Sequence, residues 1–425
     1  MRIACKTLGC KVNQYDTEAM LEKFEQAGYE SVPFEEEADV YLVNTCTVTG
    51  TGDSKSLKLI RRLKREHPDS HIIAAGCLAQ RRPQEVMLPG VALVIGVQRR
   101  AEVVELFEKA LREGKPVDAT AELKNASFEH LTVSRHEGKT RAAMKIQEGC
   151  DRYCSYCVIP YVRGPVRSMP LEDVRKEAER LALAGYREIV LTGIHMASYG
   201  RDTENTLTDA IRAVARVPGI ARVRLGSLEP KGITPEAARE MSGIKELCPQ
   251  FHLSLQSGSD SVLKRMNRRY TAQEYLQACG ILREYFPNCA ITTDVIVGFP
   301  GETRAEFEES CDFVRRARLA RLHVFPYSRR SGTVADKLPG QVSEDEKKRR
   351  AEILIGIGNE LEESYVQSKK GSCETVLFET ETAPGICEGY TGSYVRVQAP
   401  AVPGELGEVW IRETRGTLCL GERMR

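Results

Sequence analysis

Three closely spaced cysteines are the part of the sequence with the clearest chemical meaning. Cys150, Cys154 and Cys157 form a Cys-x3-Cys-x2-Cys motif in a chain with fourteen cysteines. In a reducing compartment, clustered thiols point to metal or redox chemistry rather than to disulfides. Three thiolates can hold three irons of a 4Fe-4S cluster, and no fourth cysteine follows at the spacing of ferredoxins. The motif therefore predicts a cluster with one iron open to a ligand.

A second set of three cysteines is spread over the amino-terminal part of the chain. Cys10, Cys46 and Cys77 each come just after a short apolar run that predicts a β-strand, and a glycine or threonine precedes each thiol. The carboxyl ends of neighbouring parallel strands meet at one edge of a sheet, where open α/β sheets bind their ligands. We therefore expect these thiols to converge there and form a second metal centre.

Alternating strand and helix patterns surround both sets of cysteines. The amino-terminal pattern predicts a small parallel-sheet α/β domain over residues 1–115, followed by a polar linker at 116–140. Six strand–helix units at 141–362 predict an open, partial (β/α)6 barrel, with the closely spaced cysteines on the loop after its first strand. Five short β-type runs at 363–425 predict a small antiparallel, OB-like barrel. The predicted fold class is α/β. The predicted strands before residue 330 are 2–8, 39–44, 71–76, 92–96, 142–148, 187–192, 221–226, 251–256, 290–297 and 321–326.

Composition and charge exclude several classes of protein. Hydrophobic residues make up 41% and charged residues 28% of the chain, which is typical of a globular protein. Lys and Arg number 61 against 60 Asp and Glu, so a polyanionic partner must bind at local patches rather than to an overall field. No apolar run is long enough to span a membrane, and the first residues lack an apolar signal core. We expect a cytoplasmic protein without a membrane partner.

Together these features resemble the methylthiotransferases of the radical S-adenosylmethionine superfamily. The Cys-x3-Cys-x2-Cys motif, with an aromatic residue before its last cysteine, is that superfamily's signature, and the resemblance covers essentially the whole chain. It implies a methylthiotransferase domain, a radical domain and a TRAM domain, in that order. It also implies that all six cysteines ligate two 4Fe-4S clusters. The segments 6–14 and 44–49 most resemble the subgroup that acts on N6-threonylcarbamoyladenosine next to the anticodon of tRNA.

The resemblance also implies contacts to the cofactor S-adenosylmethionine. Tyr156 would pack near its adenine, and the turn at Gly193 would approach its methionine portion closely, as only small residues allow. Gln256 and Asp294 lie at or near the ends of later strands and are further candidates. Arg167 follows the cysteine loop, where a guanidinium could clamp the cofactor carboxylate.

Basic residues indicate where tRNA could bind. The segment 54–65 contains six Lys or Arg residues and no acidic residue, and a second basic patch lies near residue 268. The carboxyl-terminal domain is slightly acidic, which is unexpected for a TRAM domain. The candidate phosphate contacts are Lys58, Arg62, Arg65, Arg268 and Lys370.

The implied reaction needs no side-chain acid or base. A carbon-bound hydrogen at carbon 2 of adenine is far too weakly acidic for ionic general-base catalysis. The resemblance implies instead a radical from reductive cleavage of S-adenosylmethionine, a sulfur presented by the amino-terminal cluster, and a methyl group from a second cofactor molecule. A sulfur donor and an electron donor of the flavodoxin or ferredoxin kind are also needed, and the sequence identifies neither.

Three alternatives share parts of this pattern. A sibling enzyme would act on N6-isopentenyladenosine in tRNA, where an apolar pocket is expected, whereas a threonyl carboxylate requires a cation within reach. A relative would modify an aspartate of a ribosomal protein, and it has the same cysteines. A protein of another class would be a non-catalytic iron–sulfur protein that binds RNA.

Overall fold

The amino-terminal domain is built on a six-stranded parallel sheet. The computed structural model describes residues 1–134 and 138–424. The strands are β1 (Arg2–Thr7), β2 (Glu30–Val32), β3 (Val40–Thr45), β4 (His71–Gly76), β5 (Val91–Ile95) and β6 (Val117–Asp118). Their order is β2-β1-β3-β4-β5-β6, so β1, β3 and β4 are neighbours. The predicted parallel sheet is confirmed. The sequence does not reveal β2 and β6, because strands of three and two residues carry no recognisable periodicity.

Helices cover both faces of this sheet. They are α1 (Lys11–Gln26), α2 (Gly50–Glu66), α3 (Cys77–Arg81), α4 (Pro83–Val86) and α5 (Val103–Glu113). Phe24 of α1 and Phe107 of α5 pack together on one face, with ring centroids 5.8 Å apart. Ile60 and Leu63 of α2 are buried on the other face. A sheet that is covered on both faces needs apolar residues at every position, which explains the continuous apolar runs of its strands.

The central barrel contains eight strand segments. They are β7 (Arg141–Glu148), β8 (Arg167–Ser168), β9 (Glu188–Gly193), β10 (Arg222–Leu225), β11 (Ser227–Leu228), β12 (Gln250–Leu253), β13 (Ala290–Val297) and β14 (Arg321–Pro326). They pair in the orders β10-β9-β7-β8 and β11-β12-β13-β14. All these pairs are parallel except that of β7 with the short β8. The predicted open, partial barrel is confirmed.

The strand pairing of the barrel is interrupted at Gly226. This residue separates β10, which pairs with β9, from β11, which pairs with β12. A Cβ atom at Gly226 would lie 3.2 Å from the backbone oxygen of Leu191, so the chain approaches β9 closely where it changes partner. The two halves are joined by a single bridge between Val223 and Leu247. Sequence periodicity shows the strand here but not its interruption.

The helices of the central part are α6 (Ile159–Arg163), α7 (Leu171–Leu183), α8 (Leu207–Ala215), α9 (Pro235–Ser242), α10 (Asp260–Arg265), α11 (Ala272–Tyr285), α12 (Arg304–Ala317) and α13 (Glu344–Gln367). Capping boxes begin α8, α11 and α12, where Thr206, Thr271 and Thr303 each pair with an acidic residue three positions later. Such boxes satisfy amide groups that the first turn leaves without partners. No helix within residues 1–134 or 138–424 has the length and apolar character needed to cross a bilayer.

The predicted linker at 116–140 is more structured than its polarity suggests. β6 extends the amino-terminal sheet beyond the predicted boundary at residue 115. Leu131 and Val133 are buried beside α1, and the Tyr15 hydroxyl donates to the backbone oxygen of Leu131 at 2.5 Å. These few apolar residues attach the segment to α1, and the interpretation of 116–140 as the linker between the domains stays a prediction. Residues 135–137 of the predicted linker lie outside the described residues.

The carboxyl-terminal domain is a closed five-stranded barrel, as predicted. Its strands are β15 (Cys373–Ala383), β16 (Ile386–Thr391), β17 (Arg396–Pro400), β18 (Leu406–Arg415) and β19 (Leu418–Arg423), in the order β15-β16-β17-β19-β18. It docks where the strands of the central barrel begin. Arg222 donates to the backbone oxygen of Tyr390 at 3.0 Å, and Arg224 donates to that of Gly392 at 2.9 Å.

Candidate metal and cofactor site

Cys10, Cys46 and Cys77, the first thiol trio, lie together at the carboxyl edge of the amino-terminal sheet. Cys10 immediately precedes α1, Cys46 directly follows β3, and Cys77 begins α3 directly after β4. A Cβ atom at Gly9 would lie 2.9 Å from the Cys46 Sγ, and Gly9 has a φ of +107°. Only glycine allows this approach without strain. The structure therefore brings together the thiols that the sequence predicts to converge.

The pKa values of this trio reflect burial and mutual proximity. Burial raises the pKa of Cys46, and the nearby Cys10 raises it further. Burial raises the pKa of Cys77 to about 12, with Cys10 and Cys46 adding in the same direction and Arg163 opposing. The pKa values of Cys46 and Cys77 therefore both respond to neighbouring thiols of this trio. Since only thiolates bind iron, iron binding must displace protons from Cys46 and Cys77.

Cys150, Cys154 and Cys157, the second thiol trio, lie on the loop between β7 and α6. The backbone N–H of Cys157 donates to the oxygen of Cys154 at 2.9 Å, which forms a tight turn between the last two thiols. Burial raises the pKa of Cys150 to about 11 and that of Cys157 to about 12, and Cys154 adds to both shifts. One loop thus holds all three sulfurs within electrostatic reach of each other.

The donor set of the two trios fits iron–sulfur clusters. All fourteen cysteines are free thiols. Within the part of the chain that the structure describes, no three His, Cys, Asp or Glu side chains are placed to hold one metal ion. In a 4Fe-4S cluster each thiolate binds a different iron, so the sulfurs stand farther apart than around a single ion. The two trios of free thiols supply the donors that two such clusters use.

One arginine donates to a sulfur in each trio, and the sequence indicates neither contact. The Nε of Arg163 lies 3.3 Å from the Cys77 Sγ, and the Nη1 of Arg268 lies 3.2 Å from the Cys154 Sγ. The Arg268 side chain is 8% exposed and also pairs with Glu229 at 3.4 Å. The side chain of Arg268 points inward from the turn after α10, and its role as a phosphate contact stays a prediction.

A buried ion network joins the two domains that carry the trios. Arg163 Nη1 lies 2.8 Å from the Glu148 carboxylate and 3.2 Å from Asp16 of α1. Lys145 lies 2.6 Å from Asp16, and Arg100 pairs with both carboxylates as well as with Glu129. Burial alone would raise the pKa of Asp16 and Glu148, but the surrounding cations lower both. The interdomain ion network consists of Asp16, Arg100, Glu129, Lys145, Glu148 and Arg163.

Arg167 lies beside this network. It is 3% exposed, and its Nη2 donates to the backbone oxygen of Arg163 at 2.9 Å. Burial lowers its pKa, and Glu148 opposes that effect. Its Nε and Nη1 have no hydrogen-bond partner among the described residues. The predicted role of Arg167 as a cofactor clamp stays a prediction.

Gly193 lies at the end of β9, against the strand that leads to the cysteine loop. A Cβ atom there would lie 2.8 Å from the Cβ of Gln147. Gln147 accepts a hydrogen bond from the backbone of His195 at 2.6 Å and donates to the backbone of Gly149 at 2.8 Å. The glycine therefore makes room for a side chain that fixes the start of the loop. Contact of Gly193 with the cofactor stays a prediction.

The remaining predicted cofactor contacts lie on separate elements: Tyr156 on the cysteine loop, Gln256 after β12 and Asp294 within β13. Tyr156 packs edge-on against Phe299, with ring centroids 6.4 Å apart. Gln256 has a left-handed backbone, with a φ of +70°, and its N–H donates to the oxygen of Asp294 at 2.9 Å. The Asp294 carboxylate lies 3.3 Å from His252 Nε2. The roles of these three residues toward the cofactor stay predictions.

A polar group at the strand ends is absent from the sequence interpretation. Glu229, which is 4% exposed, lies 2.8 Å from Arg152, 3.4 Å from His195 and 3.4 Å from Arg268. Burial would raise the pKa of Glu229, but its hydrogen bond with His195 and the charge of Arg268 lower it to about 2. No motif marks these residues, because they come from four separate loops.

The other predicted RNA contacts are on the surface. Lys58, Arg62 and Arg65 are exposed on α2, and Lys370 is exposed just after α13. Arg62 and Arg65 lie 3.5 and 3.2 Å from Glu66. Helix α2 begins four residues after Cys46.

Family patterns and relatives account for most of the chain. The Radical SAM superfamily pattern matches residues 144–314, and a family described as uncharacterized protein family UPF0004 matches residues 2–96. The threonylcarbamoyladenosine tRNA methylthiotransferase MtaB of Bacillus subtilis is 40% identical over 415 residues, covering 96% of this chain and 92% of that protein. The MtaB of Thermotoga maritima is 36% identical over 395 residues, covering 93% and 90%.

A sibling and a solved structure complete the comparison. The tRNA-2-methylthio-N(6)-dimethylallyladenosine synthase of Natranaerobius thermophilus is 33% identical over 422 residues, covering 96% of this chain and 93% of that protein. The structure of the radical S-adenosylmethionine methyltransferase TsrM from Kitasatospora setae, with cobalamin and a 4Fe-4S cluster bound, has a TM-score of 0.57 at 14% identity. The match covers 91% of this chain and 77% of that one, and it supports the fold.

Proposed function

Because the chain belongs to the radical S-adenosylmethionine tRNA methylthiotransferase family, we propose that it places a methylthio group on carbon 2 of N6-threonylcarbamoyladenosine next to the anticodon of tRNA. The observation that carries the proposal is the presence of two separate thiol trios linked by one residue. Arg163 contacts Cys77 of the first trio and ends the short helix that follows the second. One molecule thus brings together the two kinds of centre that the reaction needs.

The family uses S-adenosylmethionine and 4Fe-4S clusters, which, when bound, supply radical chemistry and a sulfur for transfer. Cys150, Cys154 and Cys157 would hold the cluster that binds the cofactor, and Cys10, Cys46 and Cys77 would hold the other. The buried arginines that donate to Cys77 and Cys154 orient these sulfurs and stabilise their negative charge. Protein side chains position the base and exclude water, and none is needed as an acid or base.

The tRNA would approach over α2. Lys58, Arg62 and Arg65 are exposed there, and Arg330 anchors the start of the helix to the central part of the protein. The Nη1 of Arg330 lies 2.9 Å from Asp53, and its Nη2 donates to the Thr47 hydroxyl at 2.7 Å. A fixed basic helix can track phosphates while the adenosine enters beside the first trio. With tRNA as substrate, we place the activity in the cytoplasm, with a flavodoxin- or ferredoxin-like protein as the source of electrons.

Mass spectrometry of tRNA nucleosides from a strain that lacks this gene tests the proposal. We expect the 2-methylthio group to disappear from threonylcarbamoyladenosine alone, with the unmethylthiolated nucleoside accumulating in its place. A gene copy with Cys373→Ala should restore the product, because Cys373 is an exposed thiol of the carboxyl-terminal barrel. A copy with Cys46→Ala should not.

Two results would contradict the assignment. Loss of the methylthio group from N6-isopentenyladenosine would identify the sibling activity, which relatives at 33–34% identity carry. Unchanged tRNA nucleosides together with a lighter ribosomal protein would identify the activity on an aspartate side chain.

A further inference from the structure

Two exposed tyrosines lie next to the second thiol trio. Tyr153 immediately precedes Cys154 and is 50% exposed, and Tyr161 of α6 is 62% exposed. Their ring centroids are 5.5 Å apart and the ring planes meet at 73°, which is an edge-to-face contact. Adjacent exposed aromatic rings form a continuous apolar surface, and such a surface marks a contact site for another molecule. These two residues are called the tyrosine patch below.

The backbone of the cysteine loop turns Tyr153 outward. Tyr153 has a φ of +49°, a left-handed conformation that is unfavourable for a bulky residue. The Asn267 side chain donates to the backbone oxygen of Tyr153 at 2.9 Å, and the Ser155 N–H donates to the oxygen of Met266 at 3.0 Å. Contacts on both sides of Cys154 thus fix the loop, with the Cys154 thiol buried and the Tyr153 ring exposed.

The turn that carries Asn267 also gives the tyrosine patch a positively charged rim. Lys264 and Arg269 are exposed there, and no carboxylate within residues 1–134 or 138–424 lies at ion-pair distance from either. The two other arginines of the turn are paired with glutamates. Asp151 on the cysteine loop lies 2.7 Å from Arg201, so its negative charge is compensated. The rim therefore has two cations that are free to meet an acidic partner.

We propose that the tyrosine patch is the docking surface for the protein that supplies electrons to the second cluster, a one-electron carrier with an acidic face. The inference rests on the proposed function, in which each cleavage of S-adenosylmethionine consumes one electron. The flavin or iron–sulfur group of the carrier is oxidised by one electron, and the cluster held by Cys150, Cys154 and Cys157 is reduced. No bond forms or breaks at the patch itself.

The geometry favours a protein carrier over RNA at this surface. Because Cys154 is buried and Tyr153 is exposed, the loop lies between the tyrosine patch and the thiols. An electron can cross one turn of backbone, whereas a nucleoside stacked on the two rings would stay outside the barrel.

The size and charge of the surface also suit such a carrier. Electron-transfer complexes have small interfaces, and interfaces commonly place aromatic residues at the centre and polar residues at the rim. Tyr153 and Tyr161 provide the centre, and Lys264 and Arg269 provide the rim. Complementary charge at a rim accelerates the encounter more than it strengthens the complex, which fits a partner that must leave after each electron.

Anaerobic binding and cleavage assays on the reconstituted holoenzyme test this inference. The probes are a reduced bacterial flavodoxin and a reduced bacterial ferredoxin, both acidic, and titanium(III) citrate as a small reductant that needs no docking surface. Tyr161→Ser should weaken binding of the carrier about tenfold, as for loss of one central aromatic contact. Formation of 5′-deoxyadenosine should fall similarly at a low carrier concentration and stay unchanged with titanium(III) citrate. Tyr161→Phe should keep both.

The rim and an unrelated surface provide the matched variants. Lys264→Met combined with Arg269→Met should weaken carrier binding at low salt and reduce its dependence on salt, because screened charges attract less. Val402→Ser on the carboxyl-terminal barrel is the control, since Val402 is 62% exposed, like Tyr161. This control should bind the carrier as the wild type does.

Four results would overturn the docking site. The first is unchanged carrier binding by Tyr161→Ser, and the second is equal loss of cleavage with the carrier and with titanium(III) citrate. The third is a wild type that accepts electrons from titanium(III) citrate but from neither carrier. The fourth, weaker tRNA binding by Tyr161→Ser with carrier-supported cleavage intact, would assign the patch to RNA.

Failure of the proposed function has a different signature. If the gene deletion leaves 2-methylthio-threonylcarbamoyladenosine intact in cells, the proposed function fails. If that nucleoside is lost and Tyr161→Ser still binds the carrier normally, only the docking site fails.

Discussion

Cys46→Ala should still cleave S-adenosylmethionine under reducing conditions and yet form no methylthiolated product. Cys46 belongs to the first thiol trio, at the edge of the amino-terminal sheet, while the second trio lies on a loop of the central barrel. Even changes outside the ligand shell of a metal site cost 10–100-fold, so loss of a ligand should lower methylthio transfer by more than about 100-fold. Anaerobic assays of 5′-deoxyadenosine and of the modified nucleoside, run on the same sample, measure both outcomes.

Cys154→Ala is the complementary variant, and it should lose both reactions. Cys154 is buried in the second trio and receives a hydrogen bond from Arg268. Cys373→Ala is the control, because its thiol is exposed and far along the chain from both trios. Methylthiolated nucleoside formed by Cys46→Ala, or 5′-deoxyadenosine formed by Cys154→Ala, would refute this division between the two trios.

Arg163→Met should destabilise the protein more than any surface substitution. Arg163 is fully buried, between the carboxylates of Asp16 and Glu148 and the sulfur of Cys77. Removing one partner of a buried ion pair leaves charge without compensation and costs roughly 3 kcal/mol or more. The free energy of unfolding of the reconstituted protein, from anaerobic urea titration, should fall by about this amount.

The loss of stability in Arg163→Met should depend on pH. The cations of the interdomain ion network hold the pKa values of Asp16 and Glu148 below their usual range. Such carboxyls stabilise the folded protein fully at pH values above their pKa in the unfolded chain, which is about 4. This stabilisation is lost as the pH falls through their pKa in the folded protein. Without Arg163 both carboxyls should protonate at higher pH. The difference in the free energy of unfolding between wild type and variant should therefore be largest near neutral pH and smaller in acid.

Two further variants distinguish the effect of the charge of Arg163 from the effect of its contacts within the network. Arg163→Lys keeps a cation near the carboxylates and should recover part of the lost stability, although it cannot reproduce the contacts to Cys77 and Asn13. Arg304→Met on α12 is the control, because Arg304 is 82% exposed and pairs with Glu308 at the surface. Equal stability of Arg163→Met and Arg304→Met would show that the interdomain ion network does not hold the two domains together.

Sequence periodicity predicts the regular parts of the fold because buried strands and amphipathic helices leave a signal at every few residues. The strands at β1, β3, β4 and β7 and the closed carboxyl-terminal barrel follow from it directly. The edge strands β2 and β6 and the break at Gly226 do not, because two or three residues carry no period. The sequence does not predict the burial of part of the linker for a similar reason, since that part is attached by isolated residues such as Leu131.

In the candidate site, too, the sequence predicts some of the residues and not others. The thiols could be found because cysteine is rare and its spacing, or its repeated position after strands, is informative. The charged residues around them could not, because Asp16, Arg100, Glu148 and Arg163 are distant in sequence and meet only across the domain boundary. Arg268 is the clearest example of a contact that the sequence does not predict. A basic run predicts a solvent-facing patch, and the backbone turn that directs this one side chain toward Cys154 leaves no pattern in the sequence.

Iron and sulfide analysis of three anaerobically reconstituted proteins tests the central claim, that each thiol trio holds its own cluster. The proteins are the wild type, a variant with Cys10, Cys46 and Cys77 replaced by alanine, and a variant with Cys150, Cys154 and Cys157 replaced by alanine. We expect about eight irons per chain in the wild type and about four in each variant. About four irons in the wild type, or loss of all iron when only one trio is replaced, would contradict it.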